Sequence, residues 1–166
     1  ESSSGLLSET YKFKYEVREN VLCTTSMNCD YNDGFQLFQL QDIDNSSACE
    51  GYGDFTSLST NLEQGNDYEL TVTTGYGDQY IKVWIDNNDD LDFTEDEVDI
   101  NNFIIAPGVA GGVYTETISI TIPEDAVLGQ HIVRAKANWA GDVPVDACVE
   151  TTYGETEDYS VVIVES

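Results

Sequence analysis

From Tyr11 onward the apolar residues of this chain recur every second position, and nowhere do they sustain the helical period of roughly 3.6 residues. Tyr11, Phe13, Tyr15 and Val17 alternate with Lys12, Lys14, Glu16 and Arg18. Tyr68, Leu70 and Val72 alternate with Glu69, Thr71 and Thr73, and Ile118, Ile120 and Ile122 share one face. Successive side chains of a strand point to opposite faces, so each of these runs reads as a half-buried strand. Asp54-Phe55-Thr56 opens another, and Gln79–Ile85, Ile100–Ile105, Gln130–Asn138 and Tyr159–Val164 complete the set. Phe35 with Leu37, and Phe38 with Leu40, are apolar in two phases, which one bulge near Leu37-Phe38 reconciles. Asp33-Gly34, Gly51-Tyr52-Gly53, Gly75-Tyr76-Gly77 and Pro107-Gly108 punctuate the runs as turns. About eight or nine short strands without a helix predict an all-β fold, an antiparallel β-sandwich of jelly-roll type. With 166 residues the chain is read as one sandwich domain over 10–166, preceded by a Ser-rich linker remnant over 1–9.

One segment breaks this pattern. Asp86-Asn87-Asn88-Asp89-Asp90-Leu91-Asp92-Phe93-Thr94-Glu95-Asp96-Glu97 follows a strand and carries no Lys or Arg. Carboxylates at close range raise each other's pKa and repel, so a folded loop of this composition calls for a cation. With Asp86 as position 1, Asn88, Asp90, Asp92, Thr94 and Glu97 fall on positions 3, 5, 7, 9 and 12, the ligand ladder of a twelve-residue calcium loop. Asp86, Asn88, Asp90, Asp92 and Glu97 are therefore the expected ligands, and an all-oxygen set favours Ca2+ over zinc or iron. Leu91 occupies the sharp turn where Gly is usual, and the flanking strand argues against an EF-hand. The loop is expected to be splayed, with the Asp92 side chain turned to the metal. Asp54, Glu155, Glu157 and Asp158 are candidates for a second cation site or for acceptors of backbone donors.

The chain holds 32 acidic residues against 6 basic ones, a formal charge of −26. That balance excludes nucleic acid and anionic membrane surfaces as natural partners, since both require a basic patch. No run approaches the roughly 20 apolar residues of a membrane span. No signal peptide is present, and Glu1 is expected to follow a processing boundary. Four cysteines fit an oxidising compartment, so the protein is placed outside the cell, secreted or at the cell surface. They allow three pairings, of which Cys23–Cys29 with Cys49–Cys148 is the expectation.

Catalytic constellations are thin. His131 is the sole histidine, lies mid-strand and is read as structural. No pair of acids stands out as acid and nucleophile, so no enzyme is expected. Trp84 lies on the face opposite Ile81, Val83 and Ile85 and is read as packing the far side of its strand. Trp139 ends a strand and either covers the end of the sandwich or offers a flat face for a sugar ring. Tyr76, Tyr80 and Tyr114 are candidates to extend such a platform.

Four motifs fall in one order. Tyr153-Gly154-Glu155-Thr156-Glu157-Asp158-Tyr159 resembles the signature of the GEVED domain. Cys49-Glu50-Gly51-Tyr52-Gly53-Asp54-Phe55-Thr56 and Trp84–Phe93 resemble two further motifs of that family, and the placement of the cysteines is similar, giving a resemblance over about Val21 to Val164. Asn87, Leu91 and Thr156 replace the family's usual Trp, Gly and Val. The resemblance implies a secreted bacterial β-sandwich in a multidomain protein, beside peptidases, glycan-degrading enzymes or adhesins. Combined with the residues, it predicts a monomeric, calcium-binding accessory module without chemistry of its own. Its first expected partner is a polysaccharide, and the alternative is a structural or protein-interaction role beside a secreted peptidase or adhesin.

Overall fold

The computed structural model describes residues 21–166, so the expected linker and the Tyr11–Val17 strand lie outside the described residues. Nine strands follow in order: β1 (Phe35–Leu40), β2 (Ile43–Asn45), β3 (Tyr52–Glu63), β4 (Asp67–Thr74), β5 (Gln79–Ile85), β6 (Val98–Ile105), β7 (Tyr114–Thr121), β8 (Gly129–Trp139) and β9 (Gly154–Val164). A single 3-10 turn, Glu95–Glu97, lies between β5 and β6. The strands form a four-stranded sheet, β2-β1-β4-β7, facing a five-stranded sheet, β3-β9-β8-β5-β6. This is the expected two-sheet sandwich. All neighbours are antiparallel except β3 and β9, which run parallel from Tyr52↔Thr156 to Glu63↔Val164. The connection from β2 to β3 changes sheets, and it lays β3 down in the direction of the last strand.

The small sheet keeps the clean alternation of a sheet with one wet face. Leu70, Val72, Ile118 and Ile120 point inward. On the outer face Thr71 pairs with Thr117 at 3.0 Å and Thr73 with Thr115 at 2.7 Å. The bulge falls between Phe35 and Leu37, letting Phe35, Phe38 and Leu40 all reach the core. Opposite them stand Ile81, Val83, Ile85, Val133, Ala135, Tyr159, Val161 and Ile163, with Phe38 stacked on Tyr159 at 4.1 Å. Each fully buried Leu, Ile, Val or Phe contributes roughly 1.5–3 kcal/mol.

The large sheet is buried on both faces. Its far side carries Lys82 and Trp84 on β5, Arg134 and Lys136 on β8, and Thr156, Asp158 and Ser160 on β9, all buried. Trp84, Phe93, Val143 and Ala147 form a second, smaller core there, as expected for Trp84. Two stretches beyond the strands cover this face, one around Leu22–Cys29 and one around Val143–Val149.

A disulfide joins those stretches, and the expected pairing is corrected: the bridges are Cys23–Cys148 and Cys29–Cys49, with Cα separations of 5.8 and 5.4 Å. Thr25, Met27 and Cys29 are buried in alternation with exposed Thr24, Ser26 and Asn28, the mark of an extended run. Six extended residues span roughly 20 Å, beyond the ~7 Å a disulfide tolerates between Cα atoms. Cys23 and Cys29 cannot pair on such a run.

Candidate functional site

The acidic loop leaves the end of β5, where the Asp86 N–H donates to the Ile132 carbonyl at 2.9 Å. Asp86 is fully buried and accepts from the N–H groups of Asp90 (3.2 Å) and Leu91 (3.0 Å). Glu97, also buried, draws the far end back: one oxygen accepts from Asn87 N–H and the other from Thr94 N–H, each at 3.0 Å. Between them Asn88 accepts from Asp90 N–H and Asp90 accepts from Asp92 N–H, both at 2.9 Å. Asp89 and Leu91 adopt left-handed backbone, φ 57° and 63°, so the sharp turn forms at Leu91 without a glycine. His131 clasps the loop to β8, its Nδ1 3.0 Å from both the Asp86 carbonyl and Asp89 Oδ1, and its Nε2 2.8 Å from the Val127 carbonyl.

Burial pushes the Asp86 carboxyl above its ordinary range; Leu91 N–H works against that, and the Glu97 and Asp89 charges add to it. No Lys or Arg side chain hydrogen-bonds or ion-pairs with Asp86 or Glu97 among the described residues. The five expected ligands thus share one loop: Asp86 and Glu97 inside, Asp90 half-buried, Asn88 and Asp92 at the surface. The donor set is all oxygen, the kind a hard divalent cation takes, but among the described residues no three carboxylates of this loop bring oxygens within 4.8 Å of one another, so the loop does not gather its acids around one point.

The opposite end of the sandwich is aromatic. Trp139 at the end of β8 meets Tyr76 edge-on at 6.1 Å and Tyr153 edge-on at 5.8 Å, and Tyr153 meets Tyr31 at 5.8 Å. These four rings and Asp33 line a cleft of about 210 Å³. Trp139 is 39 % exposed and Tyr31 64 %, so flat faces remain open. Asp33 in the lining is buried, one of its carboxylate oxygens has no hydrogen-bond partner among the described residues, and burial raises its pKa. Of the expected platform residues the structure brings Trp139 and Tyr76 together. Tyr80 packs instead against the Trp84 core, and Tyr114 against the main core. Tyr31, Asp33 and Tyr153 are additions. Tyr31 sits in a turn closed by Asn32 N–H on the Cys29 carbonyl, and Tyr153 precedes the signature, so neither lies in an alternating run.

The signature segment is itself the first half of β9, and its acids divide by parity. Asp158 points to the far side and meets Arg134 at 2.7 Å. Glu155 and Glu157 point between the sheets, where Glu50 joins them; of the expected second-site acids, exposed Asp54 caps its own turn through Thr56 instead. Gly154 is held at φ 148°, and a Cβ there would collide with the Ala137 carbonyl, so the segment enters the sheet only with glycine.

The GEVED domain model matches residues 80–162, half of the chain, from β5 through the acidic loop to β9. No curated protein matches the sequence. Among solved structures the chain is similar to a family 123 glycoside hydrolase from Clostridium perfringens, at 10% identity and TM-score 0.38 over 65% of this chain and 22% of the hydrolase chain. It is also similar to the seventh ScaB type I cohesin from Pseudobacteroides cellulosolvens, at 13% identity and TM-score 0.31 over 69% of this chain and 94% of the cohesin. The chain therefore spans 22% of the length of that hydrolase, and at such scores neither likeness bears on function. The matched half contains the tryptophan and acid motif, the buried β8 and the Gly-Glu-Thr-Glu-Asp entry to β9; the chain belongs to the GEVED domain family.

Proposed function

We propose that this domain is a non-catalytic, calcium-binding accessory module of a secreted multidomain protein, and that its aromatic end binds a neutral polysaccharide. The observation that carries the reading is the cleft of Tyr31, Tyr76, Trp139 and Tyr153 over Asp33. A pyranose ring presents C–H groups to an aromatic face and hydroxyls at its rim, and exposed Trp beside a buried carboxylate oxygen without a partner supplies complements to both. Lys82, Arg134 and Lys136, the three basic residues among those described, are all buried. The described surface thus offers no cation to a sulfated or carboxylated glycan, which points to a neutral one.

In this reading Asp86, Asn88, Asp90, Asp92 and Glu97 would hold the calcium, which would supply the positive charge that the loop's own residues lack. Asp86 and Glu97 brace the loop's two ends, and with Asn88, Asp90 and Asp92 they would hold the ion. Two disulfides fit a secreted module, and the described residues hold no helix long and apolar enough to cross a membrane. The test is retention of the calcium-loaded domain in native gels cast with neutral polysaccharides such as xylan, glucan and mannan. Slowed migration in at least one, relieved by its soluble oligosaccharide, supports the reading. Unchanged migration in all of them leaves a structural or protein-interaction module.

A further inference from the structure

Glu50, Glu155 and Glu157 each offer a carboxylate oxygen within 4.8 Å of the other two, the one such carboxylate trio among the described residues. Glu155 and Glu157 are fully buried and Glu50 is exposed, so the trio opens to solvent on one side. Both Glu155 oxygens accept backbone N–H groups, Oε1 from Glu50 at 2.8 Å and Oε2 from Phe35 at 3.0 Å. Hydrogen bonds of that kind favour the ionised carboxylate. Glu157 Oε2 accepts the Tyr159 hydroxyl at 2.7 Å, whereas Glu157 Oε1 is buried without a partner; the Ser47 hydroxyl donates to the Phe35 carbonyl instead. Three acids thus converge where, among the described residues, no Lys or Arg pairs with them, around an oxygen without a donor there.

We infer that Glu50, Glu155 and Glu157 form a second calcium site, separate from the acidic loop. Calcium binds oxygen at 2.3–2.6 Å, so two oxygens on one ion lie at most roughly 5 Å apart. The trio meets that limit as it stands. Its walls are fixed: the Cys29–Cys49 bridge anchors the residue before Glu50, and Gly51 after it, at φ 72°, lies so close to the Met27 carbonyl that a Cβ would collide. A cavity of about 380 Å³, lined by Asp33, Ser47, Ala48 and Cys49 among others, reaches Glu155. Asp33 lines the aromatic cleft as well, so the two cavities adjoin at that residue. Burial pushes Glu155 to about 8 and Glu157 to about 7; Glu157 and Glu50 add to the rise at Glu155, and Glu50 to that at Glu157.

The experiment is equilibrium dialysis of the whole chain against radiolabelled calcium near pH 7.5, with folding checked by circular dichroism. Asp90→Ala, which disables the loop, is expected to retain one calcium per chain. Adding Glu50→Gln or Glu157→Gln to it should weaken that calcium at least tenfold. Glu50 is exposed, so Glu50→Gln keeps the test sound even where Glu157→Gln unfolds the domain. Failure of the loop assignment reads separately, as Asp90→Ala binding like wild type. The second site is overturned if Asp90→Ala takes up no calcium, or if Glu50→Gln leaves its uptake unchanged.

Discussion

Arg134 and Asp158 stand opposite each other on β8 and β9 and meet through two hydrogen bonds, Nε to Oδ1 at 2.8 Å and Nη2 to Oδ2 at 2.7 Å, with neither side chain exposed. The same guanidinium donates to the Cys23 carbonyl at 2.6 Å and lies 4.6 Å from the Phe93 ring. Tyr52 donates its hydroxyl to Asp158 Oδ2 at 2.8 Å. One ion pair thus ties the signature strand to a disulfide, to the acidic loop and to β3. Removing one partner of a buried pair strands the other charge, at about 3–5 kcal/mol. Asp158→Ala is expected to lower the urea midpoint accordingly. The double variant Arg134→Met, Asp158→Leu should lose less than either single change, since it leaves no charge behind.

For the acidic loop, calcium should raise thermal stability by about 2.7 kcal/mol at a free concentration of 100 times the dissociation constant, because the unfolded chain cannot hold the oxygens in one shell. Melting in calcium and in chelator checks it. Asp90→Ala should lose most of the increment, the remainder belonging to the trio around Glu157. Coincident wild-type curves in the two media would mean that no ion is held.

Trp139→Ala should weaken polysaccharide retention by roughly 1–3 kcal/mol, taking base–aromatic stacking as the measure, while its melting temperature changes little because the ring is partly exposed. Tyr80→Phe, on the Trp84 core, should leave retention untouched. Affinity electrophoresis of both variants separates platform from packing.

Lys136 is fully buried, its ammonium donating to the Ala147 and Val149 carbonyls. Burial first, and the Arg134 charge second, lower its pKa to about 8 from 10.5. The native state thus gives up this proton near pH 8 and the unfolded state near 10.5. Between those values the unfolded chain binds more protons, so this contribution to stability rises with pH, is complete above 10.5, and is lost as pH falls through 8. Denaturation from pH 7 to 11 should show wild type gaining on Lys136→Met across that window; parallel profiles would refute it.

Much of the sandwich was legible because Leu70, Val72, Ile118 and Ile120 alternate with residues that stay wet. β9 was legible only from Tyr159. Its first half, Gly154–Asp158, is polar and carries no apolar alternation, yet Asp158 is buried against Arg134, Glu155 against backbone donors, Glu157 against the Tyr159 hydroxyl and Thr156 against Thr25. Periodicity sees hydrophobicity, and it is blind to a carboxylate whose burial is compensated by a partner. The cysteine pairing failed for a related reason: loop length says which bridge is short, whereas the extended run from Cys23 to Cys29 is visible only once Thr25 and Met27 are seen to alternate. In the acidic loop the spacing put a sharp turn at Leu91, and Leu91 takes it with left-handed backbone. Tyr31, Asp33, Tyr153 and Glu50 escaped because distant turns bring them together and no spacing records that.

β9 is the last strand to be made and lies inside its sheet, between β3 and β8. Until it arrives, β3 and β8 each present a bare edge, and the partner of β3 is still about a hundred residues from being synthesised. Pairing across such separations is slow, and open edges recruit other chains. A domain boundary drawn before Val164 would therefore not trim this protein but leave it with two unpaired edges, prone to join a second copy at each.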